Sequence, residues 1–104
     1  MKIEISTDSH INGSGLEPSV ERLATAALTP HVPKITRLEV HLTDVNGGKG
    51  GADDKRCMME ARLEGRKPEA ATHSAETVEK AIKGAAEKLR RVLDTSIGRL
   101  RDAR

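Results

Sequence analysis

The sequence predicts an α+β domain of order β-α-β-β-β-α, a four-stranded sheet with two helices packed on one face. Two observations predict it. Apolar residues recur with period 2 in short stretches and with period 3.6 in two longer ones. The chain is also 104 residues long, the size of one domain spanning 1–104.

Each element follows from its local pattern. Lys2-Ile3-Glu4-Ile5-Ser6 alternates polar and apolar, as a half-buried strand does. A loop, Asn12-Gly13-Ser14-Gly15, leads to apolar positions 16, 20, 23, 24, 27 and 28, one face of a helix. Pro18 falls in its first turn, where a missing N–H is harmless, and Pro30 and Pro33 stop it. Leu38, Val40 and Leu42 alternate with Arg37, Glu39, His41 and Thr43 as a second strand. The stretch Asn46-Gly47-Gly48-Lys49-Gly50-Gly51 is a hairpin loop. In the third strand Cys57, Met59, Ala61 and Leu63 share one face, Arg56, Met58, Glu60 and Arg62 the other. Gly65-Arg66 turns into a fourth strand over residues 67–73. Ser74 is expected to open the last helix, with Thr77, Glu76 and Glu79 marking its start. The apolar face of that helix comprises Val78, Ile82, Ala85, Ala86, Leu89, Val92, Leu93, Ile97 and Leu100, and residues 101–104 are expected to fray.

Composition excludes several functions. The chain has no Phe, Trp or Tyr, so it cannot stack unpaired bases or build an aromatic cage. Its 24 large aliphatics and 12 alanines suffice for a thin core. No apolar run approaches the roughly 20 residues of a membrane span, and the N-terminus lacks a signal-peptide core, so no membrane is expected. A single cysteine, Cys57, excludes an internal disulfide and fits a reducing cytoplasm.

Net charge is only +2, but it is unevenly distributed. Residues 80–104 carry eight basic and three acidic side chains; residues 1–79 carry ten and thirteen. On a helical wheel of 100° per residue, one flank of the last helix holds Glu79, Lys83, Glu87, Arg90, Asp94 and Arg101, alternating in sign as a solvated face does. The other flank, at about 200–300°, holds Lys80, Gly84, Lys88, Arg91, Thr95, Gly98 and Arg99, with no acid before Asp102. Unpaired cations on one stripe repel each other and gain nothing locally, whereas a phosphate backbone would supply the missing charge. Lys80, Lys88, Arg91 and Arg99 are therefore the leading polyanion-binding candidates, with Lys83 and Arg90 on the mixed flank as weaker ones.

Other motifs fall short of chemistry. Gly47–Gly51 lacks P-loop spacing, and Asp53-Asp54 beside it would repel phosphate. His10, His31, His41 and His73 show no ligand spacing; His41 and His73 are placed on the open sheet face, away from Cys57, so no metal site is expected. Cys57 sits among core-facing residues, where a thiol is an inert small hydrophobe. With no nucleophile triad or carboxylate pair, neither catalysis, a cofactor nor a small-molecule substrate is expected.

The string Val40-His41-Leu42-Thr43-Asp44, Asn46-Gly47, Lys49-Gly50-Gly51, Asp54-Lys55-Arg56-Cys57 and Glu60-Ala61-Arg62, with Ala81-Ile82, Ala85-Ala86 and Lys88-Leu89-Arg90-Arg91-Val92-Leu93, resembles the ribosome hibernation-promoting factor and ribosome-associated inhibitor family (the sigma-54 modulation protein family) in its short, single-domain form. The resemblance runs from the first strand to about Leu100 and rests on the combination of motifs. It implies a fold similar to double-stranded-RNA-binding domains, and a translation inhibitor that occupies the mRNA and A/P-site tRNA channel of the small ribosomal subunit under stress. It also implies contacts from basic residues of both helices to 16S rRNA, with Lys88 and Arg91 matching the final-helix pattern best. Where the family often carries lysines on its first helix, this chain has Ala24, Thr25, Ala26 and Ala27, leaving Arg22 and, just beyond, Lys34.

The expected protein is thus a cytoplasmic, non-catalytic rRNA binder, monomeric when free, that holds folded RNA by its backbone. The alternative is a protein-interaction regulator on the same fold, docking a partner on the open sheet face of Arg37, Glu39, His41, Arg56, Met58, Glu60 and Arg62, whose mixed signs are unlike an RNA surface.

Overall fold

A computed structural model describes residues 1–9, 11, 13, 15–45 and 54–102, and the side chains of these up to residue 98. The elements are β1 (Lys2–Thr7), α1 (Leu16–Leu28), a 3₁₀ helix (Thr29–Lys34), β2 (Ile35–Asp44), β3 (Lys55–Leu63), β4 (Glu69–Ala75) and α2 (Val78–Asp102). The predicted β-α-β-β-β-α order is the one observed. The expected hairpin loop at 46–51 lies outside the described residues, as do His10, Asn12, Ser14 and residues 103–104.

The sheet runs β1-β2-β3-β4, with β1 parallel to β2 and the other pairs antiparallel. A parallel pair needs a crossover, which α1 and the 3₁₀ helix supply. Pro30 and Pro33 end α1, and the chain tightens through them into 3₁₀ geometry. The turn between β3 and β4 uses Gly65 at φ 71°, a left-handed conformation that suits glycine.

One sheet face carries the core. Leu38, Val40 and Leu42 of β2 meet Cys57, Met59 and Ala61 of β3, all buried as their alternation requires. At Thr36 a bulge shifts the register between Ile35 and Arg37, so Ile35 and Leu38, three apart, both face inward. Helix α2 covers β3 and β4 and packs against α1. It buries Ile82, Leu89 and Leu93 completely, each worth about 2 kcal/mol of transfer free energy. Ala81, Ala85 and Ala86 are also fully buried, so the helix axis lies close to the strands.

Two boundaries differ from those expected. β4 continues to Ala75, so Ser74 belongs to the strand, where it pairs with Arg56. Thr77 caps the helix instead: its hydroxyl accepts from the Lys80 N–H at 3.1 Å and its carbonyl from the Ala81 N–H at 3.0 Å. Strand pairing thus holds Ser74 in extended geometry and leaves the cap to the next suitable side chain.

At the root of the β2–β3 hairpin, Asp44 and Asp54 have buried side chains, and the Lys55 ammonium bridges them at 3.3 and 2.8 Å. The hydrogen bond to Asp54, foremost, holds the Lys55 pKa above its ordinary value. The Asp44 N–H donates to Asp8 at 3.0 Å, tying the end of β1 into the same corner.

Candidate nucleic-acid interface

Basic side chains converge where α2 crosses β4. His73 of β4 lies opposite Cys57 of β3 and therefore shares its helix-facing side. This corrects the expected placement of His73 on the open face: extending β4 to Ala75 in this register sets its parity. Gly84 of α2 sits directly over the imidazole, and a Cβ there would run into the ring. The missing side chain makes room for the ring, and the pair His73–Gly84 borders a crevice of about 290 Å³ lined also by Lys80, Lys83, Lys88, Arg91 and Glu87. His73 Nδ1 is buried with no hydrogen-bond partner among the described residues.

Four of the eight predicted residues meet here, including Lys83, which the helical wheel assigned to the mixed flank. Lys83, Glu87 and Arg91 also line a groove of about 400 Å³ between α1 and α2, where Arg90 joins them above Leu23, Ala26 and Ala27. The two depressions share the outer ridge of α2. Long side chains reach across the angular sectors of a wheel, so the wheel separated residues that the surface unites.

The stripe is not free of acid. Glu76, just ahead of the helix, pairs with Lys80 one turn on, and Glu87 lines the crevice. The Glu76–Lys80 hydrogen bond lowers the Glu76 pKa and raises that of Lys80. Lys80 was expected to be unpaired. The wheel began at Val78 and left out the acid before it. Lys88 donates to the Thr72 carbonyl at 3.2 Å, which spends no charge. Among the described residues, Lys83 and Arg91 make no ion pair.

The remaining candidates lie apart. Arg22 is exposed on α1, about 200° around the helix from buried Val20. Lys34 borders another depression with Arg66 and Ile97, nine residues beyond Lys88 on α2 and hence roughly 13 Å along its axis. Arg66 is engaged there, its guanidinium donating to the Ser96 carbonyl and hydroxyl at 3.1 and 2.7 Å. The side chain of Arg99 lies outside the described residues.

Sequence reasoning missed a half-buried link behind the ridge. His31 of the 3₁₀ helix hydrogen-bonds Asp94 of α2 at 2.6 Å, and the second Asp94 oxygen stands 3.7 Å from Arg90. A buried histidine just after a helix end and an aspartate on a polar flank carry no local signal that they meet. Gly84 carried only a weak one, since a glycine inside a helix points to a packing reason in some cases and not in others. Gly98 in the same helix has nothing among the described residues within 4 Å of the position a Cβ would take.

The open sheet face pairs most of its own charges, Arg56 being left without an ion pair among the described residues. Glu39 accepts from Arg62 at 2.7 Å and Arg37 at 3.1 Å, while Arg62 also reaches Glu60 at 3.3 Å and Arg37 reaches Glu4 at 3.5 Å. The Arg62 hydrogen bond, foremost, holds Glu39 below the usual carboxylate range. Among the described residues no group of three His, Cys, Asp or Glu is placed to hold a metal, and no helix is long and apolar enough to cross a membrane.

Residues 10–101 match the family described as sigma 54 modulation protein / S30EA ribosomal protein. The chain belongs to that family. In fold it is similar to a ribosomal subunit interface protein from Coxiella burnetii, with a TM-score of 0.78 at 14% identity over 94% of this chain and 99% of that one. It is similar also to the N-terminal domain of Thermus thermophilus Protein Y, with a TM-score of 0.70 at 18% identity over 91% and 98%. No curated protein sequence matches it.

Proposed function

We propose that this protein is a ribosome-associated translation inhibitor, a hibernation factor that holds 16S rRNA in the mRNA and A/P-site tRNA channel of the small subunit and keeps ribosomes idle under stress. The observation that carries this reading is the crevice beside Gly84 and His73, where Lys83, Lys88 and Arg91 keep their charge beside a single acid, Glu87. Family membership and the ribosomal descriptions of both structural relatives support it. A phosphate lodged among Lys83, Lys88 and Arg91 replaces the missing counter-charge, and the protein contributes shape and charge without base stacking. Arg90, Arg22, Lys34 and Arg99 are peripheral contacts to the same RNA. The protein acts in the cytoplasm as a monomer and performs no catalysis.

Co-sedimentation of the purified chain with small subunits at several salt concentrations tests this. Replacing Lys88 and Arg91 by Glu should weaken binding by about tenfold or more and lower the slope of log K against log salt by roughly 1.5, the share of two phosphate contacts. Lys80→Ala should matter less, because Glu76 already neutralises Lys80. Equal co-sedimentation of the double variant and the wild type would overturn the assignment.

A further inference from the structure

At the far edge of the sheet from the basic crevice, β1 pairs with β2 on one side only. Along its other side, among the described residues, no backbone group of Lys2–Thr7 finds a strand partner. Such an edge is a template for another strand. Beside it runs a groove of about 310 Å³ with Ile3, Ile5 and Val32 as its apolar floor and Glu17, Glu21 and Thr25 of α1 as its rim. Ile3 and Ile5 stand in register with buried Leu38 and Val40 but are themselves only partly covered. Glu17 and Glu21 are one helical turn apart, both exposed, and neither has an ion-pair partner among the described residues. Like charges at this spacing destabilise a helix. The helix N-terminus offsets this for Glu17, in the first turn, but Glu21 lies beyond it. Both carboxylates are left to face the groove without a paired cation among the described residues.

We propose that this edge receives an extended basic peptide segment of another protein as a fifth strand. Backbone pairing to Lys2–Thr7 supplies the sequence-independent part of the affinity, and alternate side chains supply the selectivity. Those pointing to the helix side meet both the isoleucine floor and the glutamate rim. Lysine or arginine fits both at once, its aliphatic stem lying on Ile3 and Ile5 and its charged head reaching Glu17 or Glu21. Side chains pointing the other way lie beside Lys2, Glu4 and Ser6 and are best β-branched. A second copy of this chain does not fit: edge-to-edge pairing of two β1 strands brings both pairs of rim glutamates to one seam.

The probe is a seven-residue peptide with capped ends, alternating Thr or Val with Arg or Lys, titrated into the full-length protein at low salt. The expected result is saturable one-to-one binding that slows amide hydrogen exchange within Lys2–Thr7. Glu17→Gln with Glu21→Gln should weaken it at least fivefold. The same peptide N-methylated on alternate residues along one edge, which removes backbone pairing without altering the protein, should not bind. Equal binding by a scrambled peptide of the same composition, protection confined to α2, or indifference to the glutamine variants would overturn the proposal. So would self-association of the protein through β1. The assay contains no ribosomes, so its outcome is separate from that of the sedimentation test.

Discussion

Cys57 is fully buried in the middle of β3, and burial pushes its thiol up to about 12 from an ordinary 9.0. The folded protein therefore holds a proton at pH 9–12 that the unfolded chain releases. The unfolded state binds fewer protons in this window, so stability is unaffected below about pH 9 and falls as pH rises toward 12. Denaturant midpoints measured from pH 8 to pH 11 should decline more steeply for the wild type than for Cys57→Ala. Parallel curves would show that the thiol does not titrate with unfolding. At neutral pH the same burial makes Cys57 inert, and a thiol reagent should label it only as the protein unfolds. The residue's role was legible from its place in the alternation alone. The roles of His31 and Asp94 were not, because 63 residues separate them and their bond exists only once the 3₁₀ helix docks on α2.

Between elements, the contact of α2 with β4 depends on Gly84. In an exposed helix, alanine is better than glycine by about 1 kcal/mol. Here that gain competes with displacement of the His73 ring, which the new methyl group would strike. Gly84→Ala should therefore stabilise the His73→Ala variant by about 1 kcal/mol and the wild type by much less. Thermal denaturation of the four proteins of this double-mutant cycle measures the difference, and an additive result would place the ring elsewhere. The elements themselves were readable because each strand and helix has one wet and one dry face, and that contrast is written into the chain as period 2 or 3.6. Their ends were less so. Both Ser74 and Thr77 are good helix starters, and only pairing to Arg56 decides that Ser74 stays in β4. The bulge at Thr36 was invisible for a similar reason, since the side chain it leaves over, whose hydroxyl donates to the Arg62 carbonyl at 3.0 Å, has no sequence signature. The candidate site was half legible: charge segregation named the helix, but grouping Lys83 with Lys88 and Arg91, and pairing Lys80 with Glu76, required the third dimension.

Across the whole molecule, charge is arranged along the sheet. Acidic Glu17 and Glu21 overhang one edge, and the cations of α2 crown the opposite side. The topology also orders events in time. β2, β3 and β4 join through short connections, and α2 packs on the last two, so their contacts close small loops. The parallel β1–β2 pair closes only after the whole crossover through α1 has been laid down, a slower and entropically dearer step. Folding kinetics should show this division. Met59→Ala, in the central strand, should mainly slow refolding, whereas Ile5→Ala, in β1, should mainly hasten unfolding. Stopped-flow chevrons of the two variants distinguish the cases, and a φ-value for Ile5 equal to that for Met59 would count against it. If β1 is the last strand to dock, it is also the first to leave. The segment whose free edge faces solvent is then the one that opens at least cost, so brief departures of β1 would expose the flank of β2 while α2 and its cations stay in place.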